Sequence, residues 1–319
     1  MKIIIHCEYV SNYNTISCEV VMSKILTLFE YQQQFSTEED CFEYLVKLRW
    51  PNGFVCPRCG GTTYYIIYHH KRFQCKQCRH QTSITAGTVF HKLRQPLRIL
   101  FMSVYLIATS KKGLSAMELR RKVGINGYKT AWLLMQKIRK AMASSGKFLL
   151  THMVEVDETY IGGHREGPRG RGAEDKTLVA IAVETDGSTM GRAYLKTIDS
   201  LRMVELEQFV KDHVTQGAKV ITDCFTSYGS LGSSYDHSPI CDSTTGKKSD
   251  VLPKVHIVVA NLKMWLRGTY NCLPAKHLQS YLDEFVFRFN RRWNLENIFD
   301  KLLVRCTYTK TITYAELTG

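Results

Sequence analysis

The sequence predicts a multidomain α/β protein: a small β zinc ribbon, a helical region containing a helix-turn-helix, then a larger mixed sheet flanked by helices. Three observations predict it. Two Cys-x-x-Cys pairs, Cys56/Cys59 and Cys75/Cys78, bracket a β-rich stretch. Strong helical periodicity follows them, from Leu97 to Met142. Beyond Met153 the pattern changes to short alternating apolar runs, then helices again, as in a mixed sheet covered by helices. A chain of 319 residues has room for two or three such domains.

Residues 1–21 carry no periodicity and read as an unpatterned N-terminal extension. Their MKIIIHCEYV start lacks the apolar core and cleavage site of a signal peptide. A better-formed beginning stands at Met22, so the extension is expected to be dispensable. Residues 22–53 form a helical lead-in. Ser36-Thr37-Glu38-Glu39 is a helix start, a capping hydroxyl followed by acids. Phe42, Leu45, Val46 and Leu48 supply the apolar positions, and Trp50-Pro51-Asn52-Gly53 ends the helix.

The ribbon covers residues 54–92. Zinc takes four thiolate or imidazole ligands in a tetrahedron, and CPRC and CKQC knuckles on facing hairpins supply them. Two disulfides or four unrelated thiols are the rival readings. Four cysteines already close the site, so the zinc is structural, and His69, His70 and His80 are read as surface or DNA-facing residues.

Residues 93–146 are helical. Leu97–Thr109 is an apolar helix with Pro96 at its start. Ser115 caps a short helix through Lys122, residues 124–127 make a tight turn, and Tyr128–Met142 is a second helix. Ala131, Leu134, Met135 and Ile138 share its apolar face, with Lys129, Lys137, Arg139 and Lys140 elsewhere. Two helices across a short glycine-containing turn are either a DNA-binding helix-turn-helix or an ordinary hairpin with a solvated basic face. Residues 144–147 read as a linker.

Residues 147–300 carry the mixed sheet. Strands are expected at 153–160, 176–184, 191–198 and 219–223, and helices at 200–213, from near Val255, and over 281–292. Residues 164–175 and 233–249 read as loops, and 301–319 as a C-terminal tail.

Lys and Arg outnumber Asp and Glu by 43 to 29, a net charge of +14 spread along the chain. Such a field attracts polyanions, which makes nucleic acid the first partner to consider. No apolar run is long enough to span a membrane, and no basic amphipathic helix with an exposed apolar face stands out. The cysteines outside the ribbon, Cys7, Cys18, Cys41, Cys224, Cys241, Cys272 and Cys306, are scattered singly. That suits a reducing cytosol in which they behave as small apolar residues.

Asp157 lies on the first core strand and Asp223 ends a later one. Converging carboxylates repel unless a divalent cation lies between them, and Mg²⁺ is held by one or two carboxylates with water and phosphate oxygens. The plainer reading is that each aspartate caps a turn.

The strings VEVDETYIGG (154–163), VITDCFTSYGSL (220–231), HIVVANLKMWLRGTYN (256–271) and YLDEFVFRFNRR (281–292), preceded by the ribbon, resemble one group of bacterial insertion-sequence transposases. The resemblance runs from about Phe29 to Arg292. It implies an RNase H-like core of the DDE type, acting as a Mg- or Mn-dependent DNA transposase in the bacterial cytoplasm, on the nucleoid. It implies double-stranded DNA as partner, both element ends and target, and a homo-oligomer on paired ends. It also implies Asp157 and Asp223 as magnesium ligands. Where an acid is usual, HIVVANLKMWLRG has none, and Asn261 with the nearby Lys263 resembles an Asp-Asp-Asn subgroup. A neutral amide oxygen can still ligate Mg²⁺. Asp250 or Glu284 supplying the acid, or a decayed site, are the alternatives. Lys263 and Arg267 share a helix face that could clamp phosphates. Glu158 should point away from Asp157 across the strand, Tyr160 should pack, and His256 orders the site or caps its helix. Tyr281, Phe285 and Phe289 form a core stripe, while Arg288, Arg291 and Arg292 contact DNA or solvate a helix end. Two other functions stay open: a zinc-ribbon DNA-binding regulator without catalysis, and a nuclease that does not join strands.

Overall fold

The computed structural model describes residues 25–144, 146, 148–162, 176–241, 251–270 and 273–319. The expectations for residues 1–21, the 164–175 loop, residues 242–249, Asp250, Cys7, Cys18 and Cys272 lie outside them. The chain divides into two compact units, residues 1–141 with 294–319, and residues 142–293.

In the first unit, α1 (Leu28–Gln34) and α2 (Glu38–Arg49) start at Thr27 and Thr37, each with a reciprocal capping box. A three-stranded antiparallel sheet follows: β1 (Tyr64–Ile67), β2 (Arg72–Cys75) and β3 (Gln81–Ser83), in that order. Phe73, fully buried, stacks on Phe54 with Trp50 at its edge. The Arg49 guanidinium donates to the carbonyls of Ser83, Ile84 and Ala86, fastening the ribbon to α2.

Helix α3 (Leu97–Thr109) starts at Pro96. Ser115 caps α4 (Ala116–Val123) by accepting the Glu118 N–H, and Gly124 closes it at φ +73°, a left-handed conformation that glycine adopts without strain. Helix α5 (Tyr128–Met142) follows. The unit is completed from the far end of the chain. The expected boundary after residue 300 falls inside a helix, Ile298–Tyr308, whose Phe299 packs among Tyr31, Phe35, Phe101 and Tyr105.

The second unit is built on a five-stranded mixed sheet in the order β6-β5-β4-β7-β8. Strands β4 (Met153–Ile161), β5 (Thr177–Thr185) and β6 (Met190–Ile198) pair antiparallel. After helix α6 (Met203–His213), β7 (Lys219–Asp223) joins β4 in parallel and β8 (Asp236–Ile240) joins β7 in parallel. This is the expected RNase H-like mixed sheet with flanking helices. β8 corrects the reading of 233–249 as loop throughout. Its Pro239 lacks a backbone donor, which an edge strand tolerates.

Two further helices cover the sheet: α7 (Pro253–Thr269) over β4 and β5, and α8 (Leu278–Phe289) beside β6. Val255, Val258, Leu262 and Leu266 are the buried stripe of α7. The β6 edge is satisfied by side chains. Asn290 accepts from Ala193 N and donates to Ala193 O, while Gln279 bonds Thr197 N and Leu195 O.

Candidate active site and zinc-binding cluster

In the ribbon, the sulfurs of Cys56, Cys59, Cys75 and Cys78 all lie within 4.8 Å of one another. Cys56–Cys78 and Cys59–Cys75 are each 3.6 Å apart. A tetrahedron with zinc–sulfur bonds of about 2.3 Å has edges near 3.8 Å, so the four thiols fit one zinc ion with no position left open.

The site in the second unit is assembled along one side of β4. Glu155, Asp157 and Thr159 alternate onto the same face of that strand. Each meets α7 in turn. The Glu155 carboxylate accepts the N–H groups of Lys254 (2.8 Å) and Val255 (3.0 Å) at the start of the helix. An acceptor there satisfies donors that the helix itself leaves unpaired. Burial raises the Glu155 carboxyl above the usual range, and the two N–H bonds oppose that. Asp157 lies 3.7 Å from His256 Nε2. The Lys263 ammonium donates to the Thr159 hydroxyl at 3.0 Å. Burial, then Arg267 and Lys176, lower the Lys263 pKa.

The second aspartate comes from β7. The parallel register pairs Met153 with Lys219, Val154 with Val220 and Glu155 with Ile221. Two residues further along each strand stand Asp157 and Asp223. Asp223 Oδ1 accepts the Phe225 N–H at 3.0 Å, which shapes the turn after the strand. Tyr228, 1 % exposed, donates to Glu158 at 2.9 Å. Its phenol is held far above its ordinary pKa, first by burial and then by the charges of Glu158, Asp157 and Asp223. Directly after Asp223, Cys224 is bonded to Cys241, which corrects the expectation of singly scattered thiols. The reason is register: Asp223 pairs with Ile240, so the next residues on both strands meet. Cys41 and Cys306 are buried thiols, as expected.

The remaining expected residues separate. Asn261 is exposed. At about 100° per residue it stands about 140° round α7 from His256 and about 160° from Lys263. It is therefore off the face that meets Asp157 and Thr159. Glu284 is fully buried within 3.6 Å of Arg288, with the Tyr270 hydroxyl at 3.5 Å. Arg267 is exposed and lines a cleft of about 580 Å³ with Ala260, Lys263, Met264 and Gly268.

Of the residues expected on DNA, Lys129 and Lys140 are exposed, with Lys129 over the Tyr314 ring. Lys137 and Arg139 are not: they are 3 % and 1 % exposed. Lys137 donates to the carbonyls of Val89 and His91 and to the Thr311 hydroxyl, so its charge is spent inside the protein. Arg292 donates to the carbonyls of Met190, Gly191 and Phe289, anchoring the end of α8 to β6. Arg291 lies over Phe287 and bonds its carbonyl. Sequence reasoning missed Glu155 and Tyr228. The signal for Glu155 was its two-residue spacing from Asp157.

Residues 149–290 match the family model of the ISXO2-like transposase domain, and residues 36–81 match that of the transposase zinc-ribbon domain. Comparison with curated proteins finds no match. Among solved structures, a Mos1 transposase paired-end complex with left transposon end is similar at TM-score 0.30 and 10% identity, covering 66% of this chain and 80% of that one. A pre-cleavage Mos1 transpososome follows at 0.28 and 9%, covering 67% and 80%. A simian T-cell lymphotropic virus intasome, in complex with PP2A regulatory subunit B56 gamma, gives 0.27 and 11%, covering 57% and 66%. With residues 36–81 matching a transposase zinc ribbon and residues 149–290 an ISXO2-like transposase domain, the chain carries the two domains of a transposase of that type.

Proposed function

We propose that this chain binds the ends of its own insertion element and catalyses metal-dependent cleavage and strand transfer of double-stranded DNA, with Asp157 and Asp223 as the ligating pair. The observation that supports the reading is the matched position of the two aspartates, each two residues beyond the Glu155–Ile221 pair on parallel strands. Two carboxylates so placed, the Asp157 side chain only 19% exposed, gain from a shared divalent cation, and hard oxygen donors suit Mg²⁺ or Mn²⁺. Such an ion, when bound, lowers the pKa of water and offsets charge on the phosphate.

The chain's own residues do the rest. Asp157 and Asp223 supply the negative oxygens. Glu155 holds the start of α7 against β4, and Lys263 holds its middle through Thr159. Lys263 and Arg267 present positive charge to a phosphate backbone lying in the cleft they line. Hydrolysis and joining are both in-line displacements at phosphorus, so one site serves both. The α4–α5 pair and the ribbon read the element ends, with Lys129 and Lys140 on phosphates. The four ribbon cysteines hold a structural zinc. The protein works as a dimer or larger assembly on paired ends, in the bacterial cytoplasm on the nucleoid.

The test is cleavage and strand transfer on DNA carrying the element ends. Losing several kcal/mol of transition-state stabilisation slows cleavage roughly a thousand-fold, and this is expected for Asp157→Asn and Asp223→Asn with DNA binding retained. Wild-type protein that cleaves without joining is a nuclease, and one that binds without cleaving is a regulator. Either result sinks the reading.

A further inference from the structure

We propose that the third side chain of this site is the imidazole of His256, and that the site therefore favours manganese over magnesium. The inference rests on Asp157 and Asp223 forming the ligating pair, and it replaces Asn261 in the role that the family resemblance gave that residue.

Three observations carry it. His256 Nε2 lies 3.7 Å from Asp157 Oδ2. Two ligand atoms each about 2.1 Å from one ion can stand up to roughly 4.2 Å apart, so both reach a common centre without moving. The phase of α7 is fixed on both sides of His256. Upstream, Glu155 grips Lys254 N and Val255 N; downstream, Lys263 bonds Thr159. His256 and Lys263 are seven residues apart, nearly two full turns, so both face β4. Finally, Asn261 cannot take the place by a small adjustment. Turning α7 through about 140° would break those bonds and drive Val255, Val258, Leu262 and Leu266 out of the core. All four are at most 8 % exposed.

The chemistry of the donor set then changes. Two carboxylates and an amide would offer oxygen alone, which suits Mg²⁺. Two carboxylates and an imidazole offer a nitrogen, which Mg²⁺ takes poorly and Mn²⁺ accepts. The His256 side chain is 43% exposed, so its nitrogen has access to solvent-borne ions and its replacement leaves the core packing untouched.

The experiment is Mn²⁺ titration of the zinc-loaded full chain, followed by electron paramagnetic resonance. Pulsed spectra report nitrogen bonded directly to bound Mn²⁺. Wild type is expected to bind Mn²⁺ with that nitrogen signature. His256→Gln should lose the signature and weaken Mn²⁺ binding at least ten-fold, on the scale by which metal sites respond to altered ligand sets. Asn261→Ala should keep both. His256→Glu should bind Mn²⁺ without the nitrogen signature and shift cleavage toward Mg²⁺. A signature that survives in His256→Gln, or that wild type lacks while Asp157→Asn still abolishes binding, overturns the role of His256 and leaves the aspartate pair standing. Mn²⁺ binding unchanged in both Asp157→Asn and Asp223→Asn, or absent from wild type, overturns the pair and His256 with it.

Discussion

The ribbon cluster and the β4–β7 site differ in closure. Four sulfurs surround the ribbon centre, two from the turn ahead of β1 and two from the end of β2 and the turn between β2 and β3, and they complete a tetrahedron. In the core, Asp157 and Asp223 hold matched positions on neighbouring strands, with the exposed His256 ring 3.7 Å from Asp157 and open to solvent. A complete ligand set builds a fold; an incomplete one leaves positions for a substrate. The surroundings agree. The ribbon's buried apolar side chains are few, chiefly Phe54, Phe73, Ile84, Val89 and Phe90. The sheet unit is filled by apolar side chains from its strands and three helices.

Three perturbations test that contrast, the first expected to be the largest. Cys75→Ser, or chelation of the zinc, should unfold the ribbon, because structural zinc supplies on the order of 10 kcal/mol in such small domains. Hydrogen exchange should collapse over residues 54–92 while β4 and β5 stay protected. Protected ribbon amides in zinc-free protein would break the comparison. In the core, the expected effects are smaller. Glu155→Ala leaves the N–H groups of Lys254 and Val255 without their acceptor, which costs about 1–3 kcal/mol, and Glu155→Gln should recover part of it. Thermal unfolding of the full chain measures this, and equal melting temperatures would remove Glu155 as the clasp of α7. The smallest effect belongs to Arg267→Ala. It should weaken DNA binding uniformly across sequences and lower the slope of log affinity against log salt by about one. An unchanged slope would show that the cleft beside Lys263 does not meet phosphate.

Much of this was legible because local signals set it. Pro96 and the glycines at 124 and 127 punctuate the helical region, so α3 and α5 match their expected limits. The cysteine spacing gave the ribbon directly. What escaped depends on distant partners. Lys137 and Arg139 look like a solvated basic face until the carbonyls of Val89 and His91 arrive from another segment. β8 carries no alternating apolar pattern, since an edge strand buries little. The family resemblance points to Asn261 by its place in a string of letters, whereas the face α7 turns to β4 is a matter of phase. The seven-residue interval from His256 to Lys263 held that information.

The first unit closes only with residues from both sides of the second: Phe299 joins the aromatic cluster of α1 and α3, and Thr311 takes the Lys137 ammonium. This sets an order during synthesis. Chain growth at about 5–20 residues per second leaves roughly ten to thirty seconds between the emergence of α5 and of the last helix. Throughout that interval Phe35 and Phe101 lack Phe299, and an ammonium destined for burial faces water. The sheet unit, continuous in the chain from residue 142 to 293, can finish folding first. The unit that carries the ribbon is then the last to mature, although its first helices are made before any strand of the sheet.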